Sequence, residues 1–168
     1  MLTRRRAFFA AGAAAAALSV GRLMRPHEVR AAGTTYEVTH TDEEWRKILS
    51  PAAYEVLRHD GTEPPFTSPL LHEHRPGTFA CAGCDLPLYS SKTKFDSGTG
   101  WPSFWAPLDN AVEEKPDHSF GMVRTAVSCR RCGGHLGHVF NDGPRPTGLR
   151  YCMNGVALKF VPATPSSS

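Results

Sequence analysis

Five cysteines carry most of the chemistry that this sequence offers, and four of them fall into two pairs. Cys81 and Cys84 form one Cys-x-x-Cys motif, and Cys129 and Cys132 form a second. Two such turns can present four sulfurs to one metal ion, and a closed shell of four thiolates is typical of structural zinc. We therefore predict one structural Zn²⁺ ion held by a pair of zinc knuckles.

Two other interpretations of the paired cysteines remain open from the residues alone. Exported proteins commonly use disulfides, and four cysteines permit three pairings. A redox-active Cys-x-x-Cys motif is the other alternative. Each pair is followed, four residues after its second cysteine, by a leucine, Leu88 or Leu136. Two copies set among glycine and apolar turn residues favour knuckles.

Cys152 is the fifth cysteine, and no other cysteine is spaced to pair with it. If its segment is a strand, Arg150 and Asn154 lie on the same face, because side chains alternate along a strand. A guanidinium beside a sulfur favours the thiolate, which is the nucleophilic form. This pattern indicates a catalytic cysteine.

Two histidines and an acid precede that strand: His135, His138 and Asp142. A turn over residues 143–148 would bring His138 and Asp142 close to Cys152. Histidine titrates near neutral pH and suits proton transfer. The same nucleophile and histidines would also serve a Cys-His hydrolase or acyltransferase, and a zinc-binding interaction module without chemistry is a third alternative.

The loop over residues 97–104 presents Trp101 between turn-forming residues. Gly98 and Gly100 precede this tryptophan. Glycine adopts backbone conformations that close a tight loop, so we expect Trp101 to form a pocket wall.

Two short helices and a set of short strands must position these residues. Thr41 and Glu44 form a capping-box pattern before Trp45, Ile48 and Leu49, which we place on one face. A second helix is predicted to begin at Ser50-Pro51 and to end near residue 59.

Beyond residue 77, short apolar runs alternate with turn residues. The predicted strands cover residues 77–82, 86–90, 111–114, 121–129 and 138–141, with two more within 149–161. With 15 glycines and 14 prolines in 168 residues, this pattern predicts a mainly β fold with antiparallel sheets in a barrel-like core. The short helices lie at its N-terminal end.

The first 31 residues have the character of an export signal. Three arginines, an apolar run to about residue 20 and small residues near Ala31 follow one another. Arg5-Arg6-x-Phe8-Phe9 resembles a twin-arginine signal. An uncleaved anchor is the alternative, although the apolar run is short for a span. We predict an export signal over 1–31, a folded domain over 34–161 and a flexible tail over 162–168, with a periplasmic or otherwise extracytoplasmic location.

The net charge of +3 belongs to that leader. Residues 1–31 hold six arginines and one acid, and the rest of the chain carries a net charge of −2. We therefore expect no nucleic-acid partner and no stable membrane insertion of the mature chain. Its length suits one domain, and we expect a monomer.

Five motifs, in this order, resemble one known family, the B-type peptide methionine sulfoxide reductases. The resemblance covers nearly all of residues 34–161. The motifs are Cys81-Ala-Gly-Cys84, Ser97-Gly98-x-Gly100-Trp101-Pro102-Ser103-Phe104, Cys129-x-x-Cys132, His135-Leu-Gly-His138-Val-Phe140 and Gly148-Leu149-Arg150-Tyr151-Cys152-Met-Asn154.

The resemblance implies that the chain reduces the R epimer of methionine sulfoxide in peptides and proteins. Cys152 would attack the sulfoxide sulfur and become a sulfenic acid. Trp101 and Phe104 would contact the substrate, with Trp101 packed on its methyl group.

The remaining site residues follow from the same resemblance. His135, His138 and Asn154 would orient and polarise the sulfoxide oxygen. Asp142 and Arg150 would hold the site and tune the thiolate. The four paired cysteines correspond to the structural zinc ligands of the family, and the family fold is antiparallel β.

This sequence departs from the family pattern at Thr99, where many members have a resolving cysteine. If zinc holds the four paired cysteines, no free thiol remains to form a disulfide with Cys152. We therefore expect the sulfenic acid to be reduced by an external donor, either a thioredoxin-like protein or a small thiol.

Overall fold

The computed structural model describes residues 35–164, with all side chains in that range except that of Phe120. The predicted export signal and the last residues of the predicted tail lie outside this range. Within it, no helix combines the length and the apolar character that crossing a membrane requires.

Two helices open the described chain. Helix α1 covers Asp42–Ile48, and its capping box between Thr41 and Glu44 is formed as predicted. Helix α2 covers Pro51–His59, and the Ser50 side chain accepts a hydrogen bond from the backbone N–H of Ala53. Trp45 and Leu49 are buried, but Ile48 is 54% exposed. Ile48, which was expected on the same face as Trp45 and Leu49, therefore stays exposed at the last residue of the helix.

The larger sheet has six antiparallel strands in the order β3–β4–β8–β7–β6–β5. Its strands are β3 (Lys94–Phe95), β4 (Ser103–Phe104), β5 (Val112–Asp117), β6 (Arg124–Cys129), β7 (His135–Phe140) and β8 (Arg150–Met153).

The smaller sheet has three antiparallel strands in the order β2–β1–β9. They are β1 (Gly77–Cys81), β2 (Pro87–Ser90) and β9 (Leu158–Pro162). The mainly β, antiparallel prediction is confirmed. The barrel-like part is corrected, because within the described chain both sheets have two free edges and neither closes on itself.

Aromatic side chains from both sheets form the centre of the core. Phe79 of β1, Tyr89 of β2 and Phe104 of β4 are fully buried. The Phe104 ring stacks on Tyr89 at 4.4 Å between centroids and meets Phe79 edge-on at 5.0 Å. This apolar layer holds β4 and β8, which border the candidate site, against the smaller sheet.

The end of the domain also differs from expectation. Strand β9 extends to Pro162, and the N–H of Ala163 donates to the carbonyl of Pro76 at 2.9 Å. Pro162, which was predicted to lie in the flexible tail, therefore belongs to the smaller sheet, and Ala163 is hydrogen-bonded beside it.

Candidate active site

A small pocket opens beside Cys152. Its volume is about 130 Å³, which suits the end of one side chain and is well below the usual size of a site for a drug-sized ligand. It is lined by Thr62, Trp101, Arg124, Gly137, His138, Phe140, Cys152 and Asn154.

The pairing of β7 with β8 places His138 opposite Cys152. Gly137 of β7 packs tightly against β8, because any side chain there would collide with the backbone carbonyl of Cys152. The turn over residues 143–148 thus does fold the chain back as expected. Directly opposed residues in antiparallel strands have neighbouring side chains, so an imidazole and a thiol share this pocket.

Asp117 fixes the orientation of His138. His138 Nε2 lies 2.8 Å from Asp117 Oδ2, and Arg124 Nη2 lies 2.7 Å from the same oxygen. Hydrogen bonds from Ser119, His138 and Arg124 hold the pKa of Asp117 well below its ordinary value. Because the ionised carboxylate can only accept, Nε2 of His138 carries the proton in this pair.

His135 occupies a different position from the one expected. A register shift between β6 and β7 lets both histidines project to one side, with ring centroids 5.3 Å apart. His135 nevertheless lines a neighbouring cleft with Asp60, His118 and His138 and is not part of the pocket wall. Burial lowers the pKa of His135, which favours the neutral ring.

A chain of hydroxyl groups reaches the Cys152 thiol. Thr99 Oγ1 lies 3.8 Å from Cys152 Sγ and 2.8 Å from Ser97 Oγ, which in turn lies 2.7 Å from Ser103 Oγ. Burial raises the pKa of the Cys152 thiol, while hydrogen bonds from Thr99 and Ser103 and the nearby Arg150 charge act to lower it. Burial outweighs these groups.

Arg150 lies beside Cys152 as the strand alternation predicted, but its strongest partner is Asp142. Two hydrogen bonds of 2.9 Å join Arg150 Nε and Nη2 to the two carboxylate oxygens. The guanidinium also lies over the Phe140 ring, 4.4 Å from its centroid. Asp142 therefore reaches the site through Arg150.

Trp101 forms one wall of the pocket, as predicted from its loop. Gly98 and Gly100 both have left-handed φ angles, of 69° and 94°, which favour glycine over other residues. The indole N–H of Trp101 donates to the carbonyl of Glu63 at 3.0 Å. Phe104, by contrast, is fully buried in the core, and its proposed contact with substrate was wrong.

Asn154 reaches the pocket from the end of β8, but much of its polar capacity is used within the protein. Its Nδ2 donates to the carbonyl of Leu136 at 3.0 Å, and its Oδ1 accepts the backbone N–H of Glu63 at 2.9 Å. Asn154 therefore joins β7, β8 and the loop that contains Glu63.

The four paired cysteines meet between the two sheets. All four sulfurs lie within 4.8 Å of one another, with Cys81 Sγ 3.7 Å from Cys132 Sγ and Cys84 Sγ 3.5 Å from Cys129 Sγ. A tetrahedral zinc ion with Zn–S bonds of about 2.3 Å requires S–S separations of about 3.8 Å, and disulfide bonds would be far shorter. The donor set fits a four-sulfur metal site.

Several residues around the pocket were not singled out from the sequence. Asp117 lies beyond the end predicted for its strand, and Thr62 and Glu63 belong to a loop with no motif of its own. Phe140 and Ser103 belong to motifs named above, but nothing in the residue spacing predicted that they lie near Cys152. Only the paired strands and the packed loop bring them together.

Comparison with known proteins identifies the family. The SelR domain family matches residues 49–162. Three relatives bear the name peptide methionine sulfoxide reductase MsrB. The protein of Leptospira interrogans is 56% identical over 74% of this chain and 96% of its own length. That of Pseudomonas putida strain W619 is 58% identical over 75% of this chain and 96% of its own length. That of Bradyrhizobium diazoefficiens is 55% identical over 77% of this chain and 94% of its own length. The chain therefore belongs to the peptide methionine sulfoxide reductase B family, defined by its SelR domain.

Proposed function

We propose that this protein reduces methionine-R-sulfoxide in peptides and proteins to methionine, with Cys152 as the nucleophile. The observation that carries the proposal is the opposition of Cys152 and His138 across β7 and β8, in a pocket walled by Trp101. The named relatives support the activity. They give no support to a Cys-His hydrolase or to a zinc-binding module without chemistry.

The proposed reaction begins when the sulfur of Cys152 attacks the sulfoxide sulfur. The thiol proton leaves as the S–S bond forms, and a proton is delivered to the sulfoxide oxygen. The substrate S–O bond and the new S–S bond then break as the oxygen passes to the sulfur of Cys152, so that thiol and sulfoxide become sulfenic acid and thioether. Cysteine is oxidised by two electrons and methionine sulfoxide is reduced by two.

His138 is the proton donor in this scheme. A sulfoxide oxygen becomes a leaving group only when it is protonated or strongly hydrogen-bonded. The charged imidazole donates one N–H to Asp117 and retains the other for the oxygen. Asp117 is therefore a positioning residue for the acid.

The apolar members of the pocket suit the other end of the substrate. Trp101 and Phe140 are large, rigid surfaces for a methyl group, whereas His138 and Asn154 are polar. A pocket with one apolar and one polar side can distinguish the two epimers, because exchanging them would place the oxygen against the ring.

Incubation with a peptide that carries both sulfoxide epimers, with dithiothreitol as the donor, tests this function. We expect only the R epimer to be consumed, and Cys152→Ser to abolish the reaction. Consumption of neither epimer, or of the S epimer alone, would contradict the proposal.

The cysteine cluster is proposed to hold one structural Zn²⁺ ion. Cys81, Cys84, Cys129 and Cys132 would fill all four positions, so the ion would be closed to substrate. Its contribution would be to fix β1 relative to β6, since each of these strands ends in one ligand.

Cys152 is proposed to depend on an external reductant. The four other cysteines are gathered in the cluster, and Thr99 is the residue nearest to the thiol in the hydroxyl chain. One thiol would convert the sulfenic acid into a mixed disulfide and water, and a second would release Cys152. A thioredoxin-like protein or a small thiol would supply both of these thiols. The enzyme is proposed to act as a monomer.

Residues 1–31 support a proposed location outside the cytoplasm. The twin-arginine-like pattern suits a protein that carries a metal site, because that route exports folded proteins. Fractionation of cells that make the whole chain tests the location. Recovery of the protein only in the fraction that contains cytoplasmic markers would contradict the proposed location.

A further inference from the structure

The loop between α2 and β1 brings a buried carboxyl group next to the pocket. Glu63 is 6% exposed and follows Thr62, which lines the pocket. Among the ion pairs of residues 35–164, none includes Glu63. An ionised group without a cation is costly to bury. Other contacts of Glu63 must therefore stabilise its charge.

The carboxylate of Glu63 accepts two backbone N–H groups from the turn that follows Cys152. One comes from Gly155, and the other comes from Val156 at 3.2 Å. Gly155 itself is closely packed, because a side chain there would collide with Ser68. Burial raises the pKa of Glu63, and the two hydrogen bonds oppose that shift.

The backbone of Glu63 contacts two residues of the pocket wall. Its carbonyl accepts the indole N–H of Trp101 at 3.0 Å, and its N–H donates to Oδ1 of Asn154 at 2.9 Å. The carboxylate bonds then fix Glu63 itself against the turn at residues 155 and 156. One residue therefore connects the tryptophan loop, the end of β8 and the turn beyond it.

We infer that Glu63 is a positioning residue for this reaction, which sets the separation between Trp101 and Asn154 and hence the fit of the methionine sulfoxide side chain. The inference rests on the proposed function. A purely structural anchor would affect stability but leave the binding of substrate unchanged in the folded enzyme. Positioning predicts a change in KM in enzyme that remains folded.

Glu63→Gln is the primary test, because it keeps the size of the side chain. Its amide group presents only one acceptor, so one N–H of the turn loses its partner and the loop shifts. We expect KM for the R-sulfoxide peptide to rise about tenfold, with a smaller fall in kcat. The rate at which iodoacetamide alkylates Cys152 should stay within about twofold, since the surroundings of the thiol are retained. The exposed Glu43→Gln provides the matched control.

The indole N–H resonance of Trp101 gives a readout that does not depend on turnover. It is one of three tryptophan resonances, and it should move in Glu63→Gln and stay in place in Glu43→Gln. If wild-type enzyme consumed no sulfoxide, the proposed function would fail, and an unmoved resonance would separately overturn the positioning.

Several results would overturn the inference in an active enzyme. Unchanged KM in folded Glu63→Gln would do so, even if its melting temperature fell. A rate of Cys152 alkylation that falls about tenfold, as kcat/KM does, would do so as well. If Glu63→Gln fails to fold, the KM of Glu63→Asp tests the inference instead. Its carboxylate is shorter by one methylene, and we expect a smaller rise in KM. Unchanged KM in folded Glu63→Asp would overturn the inference.

Discussion

His138 Nε2 lies 2.8 Å from Oδ2 of Asp117, a carboxylate carried by a strand two positions away in the larger sheet. Arg124 binds the same carboxylate from the intervening strand. The proposed acid is thus oriented by a pair of residues outside the motifs that marked the site in the sequence.

Replacing Asp117 by Asn should slow the reaction. Asn is similar in size, but it supplies a neutral acceptor, and its amide group can present a donor to the imidazole instead. We expect kcat/KM for the R-sulfoxide peptide to fall by about 10- to 100-fold, while the melting temperature changes little. Asp109→Asn, on an exposed residue, is the control. Equal activity in the two variants would exclude an orienting role for Asp117.

Arg150 should influence the thiolate less than its position suggests, because Asp142 neutralises it. A positive charge stabilises the thiolate, so Arg150→Gln should raise the pKa of Cys152 further above its ordinary value. The expected shift is at most about one pH unit, with slower alkylation at pH 7. Asp142→Asn should shift the pKa in the opposite direction. The midpoint of the alkylation rate against pH measures both effects. A midpoint that falls in Arg150→Gln would contradict this assignment.

Thr99→Cys should give the protein an internal resolving thiol. Thr99 Oγ1 is 3.8 Å from Cys152 Sγ, so a sulfur at this position needs only a small movement to form a bond. After one turnover without reductant, the variant should contain a disulfide between the introduced thiol and Cys152, detected by mass spectrometry. Wild type and Thr99→Ser should instead carry a sulfenic acid that dimedone traps. An internal disulfide in wild type would show that our view of the reductant is wrong.

Metal removal should destabilise the fold before it affects the chemistry. We expect one zinc ion per chain by elemental analysis, and its loss in Cys129→Ser with a lower melting temperature. The cost should be several kcal/mol, given the affinity of structural zinc sites. Cys152→Ser provides the control, since it should retain the metal. Disulfides among the four cysteines would refute the zinc assignment.

The paired cysteines and the glycine loop could be predicted from the sequence because local spacing defines them. A Cys-x-x-Cys turn and a tryptophan after two left-handed glycines depend on only a few neighbouring residues. The capping box at Thr41 is local in the same sense. Arg150 could likewise be placed beside Cys152 from strand alternation alone.

Phe104 and His135 were misplaced for physical reasons. Phe104 belongs to a two-residue strand whose pairing with β8 turns its ring into the core, and so short a strand has no periodicity to read. A register shift turns His135 to the same side as His138, which simple alternation cannot show, and His135 then lines the neighbouring cleft and not the pocket. Asp117 and Glu63 meet the site only through contacts between distant segments.

The small volume of the pocket has a consequence for the proteins that would be repaired. Only the tip of an extended side chain fits in about 130 Å³, so the backbone of the client must come close to the surface of the enzyme. An oxidised methionine in a packed interior would meet that demand only while its segment is transiently open. The rate of repair at such a position would then follow the local opening equilibrium of the client. Loosened segments would be restored first, and rigid ones only after they open.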